Sequence, residues 1–183
     1  MGWILLLAAV AGTWAILTFN RLTRLRQLGH NAWADIDVQL KRRHDLIPSV
    51  VSVVQGHAGY ERSTLEALVA ARTRALEAPG PAARFEEENP LGSQLRRIFA
   101  VAEAYPDLKA AASFAALHRT LVDVEDHLQN ARRYYNAVVR DYNVAIAQLP
   151  ASLIAGALGF RPREFFGLED AAERAVPRVE TGP

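Results

Sequence analysis

The residues able to do chemistry in this chain are few and widely spaced. His57 and Glu61 stand four apart, so on a helix they share one face at a spacing that suits two metal ligands. A metal site needs three or four ligands, and no second pair of matching spacing follows. Asp123 and His127 repeat the interval, where carboxylate–imidazole pairs are mostly surface contacts. A di-iron bundle needs Glu-x-x-His from two helices, and neither Glu61 nor Glu125 begins one. Ser49, Ser52 and Ser63 sit in no nucleophile elbow. Gly156 and Gly159 precede no Lys-Ser or Lys-Thr of a phosphate-cradling loop. The chain has no cysteine, which removes disulfides, thiolate zinc sites and thiol catalysis. No cofactor and no metal are expected. An enzyme is the minor alternative, hydrolase-like and acting near a bilayer, and a deep polar pocket where Asp37, His44, Arg133 and Tyr135 converge would favour it.

A structural role suits the polar residues better. Gln129, Asn136 and Asn143 recur at seven-residue intervals and flank Tyr135 and Tyr142. Amides and phenols at a helix seam fix register by hydrogen bonding, at some cost in stability. Arg132 and Arg133 are expected to pair with Asp35 or Asp37 of an earlier helix. The run Lys41-Arg42-Arg43-His44 reads as a solvated helix end, with contact to anionic lipid as the weaker alternative. The polar stretch Asp35 to Asp45, including Asp37, Lys41, Arg42 and His44, is the best candidate for a partner surface.

Helices must position these groups. Phe114, Leu117, Leu121, Val124, Leu128, Ala131, Tyr135, Val138, Tyr142, Ala145 and Leu149 alternate in steps of three and four. That places them on one stripe of a helix about 50 Å long, stopped by Pro150. Upstream, Leu22, Leu25, Leu28, Ala32, Trp33, Ile36 and Leu40 form a second apolar face. Asp45 is expected to cap a further helix with Pro48 in its first turn; the alternative is one long helix kinked at Pro48. Its face would run Val51, Val54, Ala58, Glu61, Leu65 and Leu68. Ala78-Pro79-Gly80-Pro81 is a break. Asn89-Pro90 reads as a cap and first helical residue leading into Leu91, Leu95, Ile98, Ala102 and Tyr105, with Pro106 ending that helix. No stretch alternates like a strand. The segment from Ala151 to Phe160, with Phe165 and Phe166 soon after, is too short to cross a bilayer and is expected to close the bundle, with a membrane-contacting patch or a partner site as the alternatives. From residue 167 the tail carries Gly, Pro and charge without periodicity and is expected to be disordered.

One further segment decides the solvent. Trp3 to Phe19 contains no charge, no amide and no proline. As a helix its seventeen residues span about 26 Å, against a hydrocarbon core of roughly 30 Å. No Lys or Arg precedes it and no A-x-A cleavage signal ends it, so it reads as an uncleaved membrane anchor contacting lipid. Arg21, Arg24 and Arg26 follow at once, which argues for an outside N-terminus and a cytoplasmic body. The expected fold is all-α: an N-terminal transmembrane helix over residues 1–19 continuing into an elongated antiparallel three-to-four-helix bundle over residues 20–166. A formal net charge of +1 gives no electrostatic case for nucleic acid.

Four blocks together resemble the LemA family. They are Phe19-Asn20-Arg21-Leu22, the run Ala32-Trp33-Ala34-Asp35-Ile36-Asp37 continuing through Lys41-Arg42-Arg43-His44-Asp45 to Pro48, Tyr105-Pro106-Asp107-Leu108-Lys109-Ala110, and Ala131-Arg132-Arg133-Tyr134-Tyr135-Asn136 through Asp141-Tyr142-Asn143 to Pro150 and Gly159-Phe160. The chain departs at Phe19, where the family usually has Tyr, and in a shortened stretch around Pro79 to Glu88. The resemblance implies a membrane helix, an α-helical body and a bacterial membrane protein with no agreed active site. A magnetosome-membrane branch of the family suggests roles in membrane organisation. The expected function is a single-pass scaffold or adaptor at the bacterial inner membrane that recruits protein partners. A self-assembling structural protein, hence a homo-oligomer, is the other alternative.

Overall fold

The computed structural model describes residues 1–56 and 62–167. The His57–Glu61 pair and the tail beyond residue 167 therefore lie outside the described residues. Among the described residues six helices follow one another: α1 Gly2–Gln55, α2 Arg62–Glu77, α3 Gly80–Ala102, α4 Pro106–Ala110, α5 Ala112–Ala147 and α6 Ser152–Ala155. Among the described residues there is no strand. The expected all-α bundle with a long apolar N-terminal helix is what forms.

Side-chain partners fix the topology. Along α2 the chain descends past α1, with Arg72 meeting His44. Then α3 climbs again, from Arg84 at Asp37 to Glu88 at Arg43 and His44. Helix α5 descends once more, from Phe114 beside Phe99 to Tyr142 beside Leu22. The result is an up-down-up-down bundle in which α1 pairs closely with α5 and α2 with α3. Gly80, at φ +73°, makes the tight turn between α2 and α3 that a side chain would resist.

Two prolines lie inside helices where starts were expected. Asp45 caps nothing, and Pro48 sits within an unbroken α1. A proline removes its own N–H and so orphans the carbonyl four residues back, here that of His44. Arg72 of α2 supplies the replacement, its Nε donating to the His44 carbonyl at 2.9 Å. The bundle thus mends a defect that the isolated helix would express as a break. Likewise α3 begins at Gly80 rather than Asn89, with Pro90 internal. The carbonyl that Pro90 orphans belongs to Glu86, an exposed residue that water can serve.

The α2–α3 hairpin covers only the upper half of the long α1–α5 pair. An upper core gathers Ile47, Val50, Leu68, Leu91, Ile98 and Phe114 from all four helices. Below it the groove between α1 and α5 is covered by the chain returning after α6, residues 160–167, which we call the strap. Phe160 closes a lower core with Leu22, Tyr142 and Ala145. Phe166 closes the middle one with Ile36, Tyr135 and Val139, meeting Trp33 and Phe85 edge to face at 5.5 Å from each. The apolar segment therefore closes the bundle, as expected, through Ala155, Phe160 and Phe166.

Candidate functional site

Among the described residues the buried charged groups form a cluster inside the bundle. Arg43 and His44 of α1 and Glu88 of α3 are each 4% exposed or less. Glu88 accepts from the Arg43 guanidinium with one oxygen and from His44 Nε2, at 2.7 Å, with the other. The second Arg43 nitrogen donates to Glu125 of α5 at 2.9 Å, so one guanidinium ties three helices. Burial alone would raise the Glu88 carboxyl, but the His44 and Arg43 contacts outweigh it and hold it below its ordinary 4.5. Arg43 Nε and His44 Nδ1 are buried without a hydrogen-bond partner among the described residues.

Open clefts flank the cluster on both sides. One, of about 310 Å³, is lined by Arg43, Glu88, Gly92, Arg96, Glu125 and Arg132 among others. The other, of about 280 Å³, is lined by Asp37, Lys41, His44, Asp45, Arg72 and Arg84 among others. Charges balance in the second, whereas the first sets three arginines against two carboxylates, and its hydroxyl, Ser93, accepts from Arg96 rather than lying hydrogen-bonded to a base. Asp37 and His44 share the second cleft, but Arg133 lies on the outer face donating to Asn130 at 2.6 Å, and Tyr135 faces the strap. These four residues do not converge in one pocket.

The expected pairing of Arg132 and Arg133 with Asp35 or Asp37 is also absent. Asp37 accepts instead from Arg84 at 2.6 Å, because α3 lies over that face of α1. Arg132 donates to the Gly167 carbonyl at 2.8 Å and lies over the Phe85 ring. Asp35, Lys41, Arg42 and Asp45 are exposed on α1. The run Lys41-Arg42-Arg43-His44 is thus divided: its first half is solvated and its second half buried.

The amide series holds the strap rather than a helix–helix register. Asn136 bonds Phe166 twice, Nδ2 to the carbonyl at 3.1 Å and Oδ1 from the N–H at 2.9 Å. One helical heptad later Asn143 does the same to Arg163, both at 2.9 Å. The pairing is that of a sheet edge offered by two side chains, which satisfies backbone groups that have no strand partner. Gln129, the third of the series, donates to Glu125 within its own helix. Tyr135 donates to the Glu164 carbonyl at 2.9 Å, and its burial pushes the phenol above its ordinary value. Arg163 donates to His30 Nε2 at 2.8 Å. Burial first, then the Arg163 and Arg26 charges, lower the His30 pKa and favour the neutral ring that accepts this bond.

Sequence reasoning missed Arg43, Glu88 and Glu125. A signal for the first two was present. Ile36, Leu40, Arg43, Ile47 and Val50 follow one another at core spacing, as do Glu88, Leu91, Leu95 and Ile98. Two opposite charges at core positions of different helices are the mark of a buried pair. Among the described residues no group of three or more His, Asp and Glu is placed to hold a metal ion.

Fold and site together define a membrane-associated helical protein, its bundle continuous with one helix long and apolar enough to cross a bilayer. The LemA family model matches residues 32–180, and the chain belongs to that family. It is also similar to magnetosome protein MamQ of Magnetospirillum gryphiswaldense, 24% identical over 190 residues that cover 90% of this chain and 70% of that protein. Magnetosome proteins MamQ 1 and MamQ 2 of Paramagnetospirillum magneticum are each 22% identical, covering 88% of this chain and 69% of theirs. A bacterial membrane location follows from the helix and from these relatives.

Proposed function

We propose that this protein is a single-pass scaffold or adaptor that organises or recruits other proteins at the bacterial inner membrane, its bundle on the cytoplasmic side. The observation that carries this reading is the unbroken α1. One helix leaves the apolar run and becomes the spine of the bundle, so no flexible linker separates the body from the membrane span. Similarity to magnetosome proteins is compatible with a part in a membrane-associated assembly. Arg21, Arg24 and Arg26 beyond the apolar run support the sidedness.

The partner surface proposed is the outer face of α1. Asp35, Val38, Arg42 and Asp45 lie at helical spacing on one exposed face, with Val38 61% exposed among charges of both signs. A photo-crosslinking residue at Val38, in native membranes, is expected to give a discrete adduct heavier than the chain, which the same residue at Val122 on α5 does not give. No adduct in several growth conditions refutes the adaptor reading, and an adduct of two chains replaces it with self-assembly. Protease should digest the bundle only after cells are lysed; digestion on intact spheroplasts overturns the sidedness.

A further inference from the structure

The end of α5 and the α6 turn lie level with the point where α1 leaves its apolar run. Leu22 is buried against Tyr142, Ala145 and Ala155, and the Phe19 ring meets Phe160 edge to face at 5.8 Å. Partial burial on α1 begins earlier still, at Trp14 and Ala15, inside the run assigned to the bilayer. Just here the turn between α5 and the strap exposes three leucines within ten residues: Leu149 at 76%, Leu153 at 72% and Leu158 at 45%. Elsewhere on the bundle, among the described residues, exposed aliphatic residues such as Val38 and Val122 stand singly, and Val69 and Leu76 lie two turns apart on α2. Neighbouring cations complete the pattern: Arg21 and Arg24 are exposed beside Gln148, and the Arg26 guanidinium covers the Phe160 ring at 5.1 Å.

We propose that the α5–α6 turn is a second membrane contact, a foot whose Leu149, Leu153 and Leu158 insert into the lipid interface beside α1. The occupant is lipid because the patch is continuous with the last turns of the apolar run and shares their height. An apolar tip with arginines just above it matches the layering of hydrocarbon edge and phosphate headgroups. A bundle fixed by one helix can still pivot; fixed by helix and foot, it has one tilt. The inference rests on the reading that α1 spans the bilayer.

The full chain, reconstituted in phosphatidylcholine–phosphatidylglycerol vesicles, tests it. With no native cysteine, single Leu7→Cys, Leu153→Cys and Val122→Cys variants each carry one fluorophore. Quenchers are lipids brominated in the upper acyl chain and lipids with a headgroup spin label. Val122 lies roughly 40 Å along α5 from Leu149 and serves as the aqueous reference. Acyl-chain quenching several-fold stronger at Leu153 than at Val122 is expected, with Leu149→Cys and Leu158→Cys behaving like Leu153→Cys. Leu153 quenched from the headgroup alone means proximity without insertion and overturns the inference, while a lipid-buried Leu7 leaves the span intact. Leu153 shielded from lipid and from aqueous iodide alike means that protein covers the turn, which also overturns it. A water-exposed Leu7 removes the span reading and the foot together.

Discussion

Replacing Glu88 with alanine is the most informative perturbation of the bundle. The side chain is 4% exposed and accepts from two neighbours that are equally buried. Its loss leaves Arg43 with Glu125, which is 40% exposed and so a weaker counterion, and strips His44 Nε2 of its acceptor. Removing one partner of a buried ion pair costs about 3–5 kcal/mol, because the remaining charge stays out of water. At about 2–4 °C per kcal/mol for a chain of this size, Glu88→Ala should lower the melting temperature by roughly 6–20 °C. Glu88→Gln keeps the shape and an acceptor but not the charge, and should cost about 1.5–3 kcal/mol. Thermal melts of the full chain in nanodiscs, followed by circular dichroism, measure both. The pH dependence is a separate signature. Since the folded carboxyl is held below 4.5, its stabilisation is complete above that pH and lost as pH falls through the folded value. The gap between wild type and Glu88→Gln should therefore shrink on acidification below about pH 4.5. A Glu88→Ala protein within 1 kcal/mol of wild type, with a gap indifferent to pH, would refute the buried-pair argument.

Three other outcomes follow from single contacts. Arg72→Met should destabilise the protein by about 1.5–3 kcal/mol, but much less in a Pro48→Ala background, where the restored N–H satisfies the His44 carbonyl; a double-mutant cycle with no coupling contradicts the repair. Asn136→Ala and Asn143→Ala each remove two backbone bonds, worth about 1–3 kcal/mol per substitution. Hydrogen exchange should accelerate at Phe166 in the first and at Arg163 in the second, and unchanged protection would show the strap held by packing alone. Gly167→Ala should loosen the strap, because φ is +62° and the new methyl would stand 2.2 Å from the Phe85 ring. Limited proteolysis after residue 160 reads this directly, and wild-type resistance would contradict it.

Periodicity alone determined a great deal about this protein. The stripe from Phe114 to Ala145 specified α5, and the charge-free run from Trp3 specified a helix that water does not favour. Both signals are local, repeated many times and insensitive to neighbours. Tertiary structure decided what happens at single positions where local and global preferences conflict. Pro48 looks like a helix start until Arg72 reaches across to its orphaned carbonyl. Arg43 and His44 look solvated until Glu88 from another helix makes their burial tolerable. Asn136 and Asn143 announce hydrogen bonding by type and interval, but their partner is a strap with no periodicity to betray it. A repeated pattern can be read from a chain because each element carries it alone. A compensation cannot, because one half of it lies on a distant segment that only folding brings near.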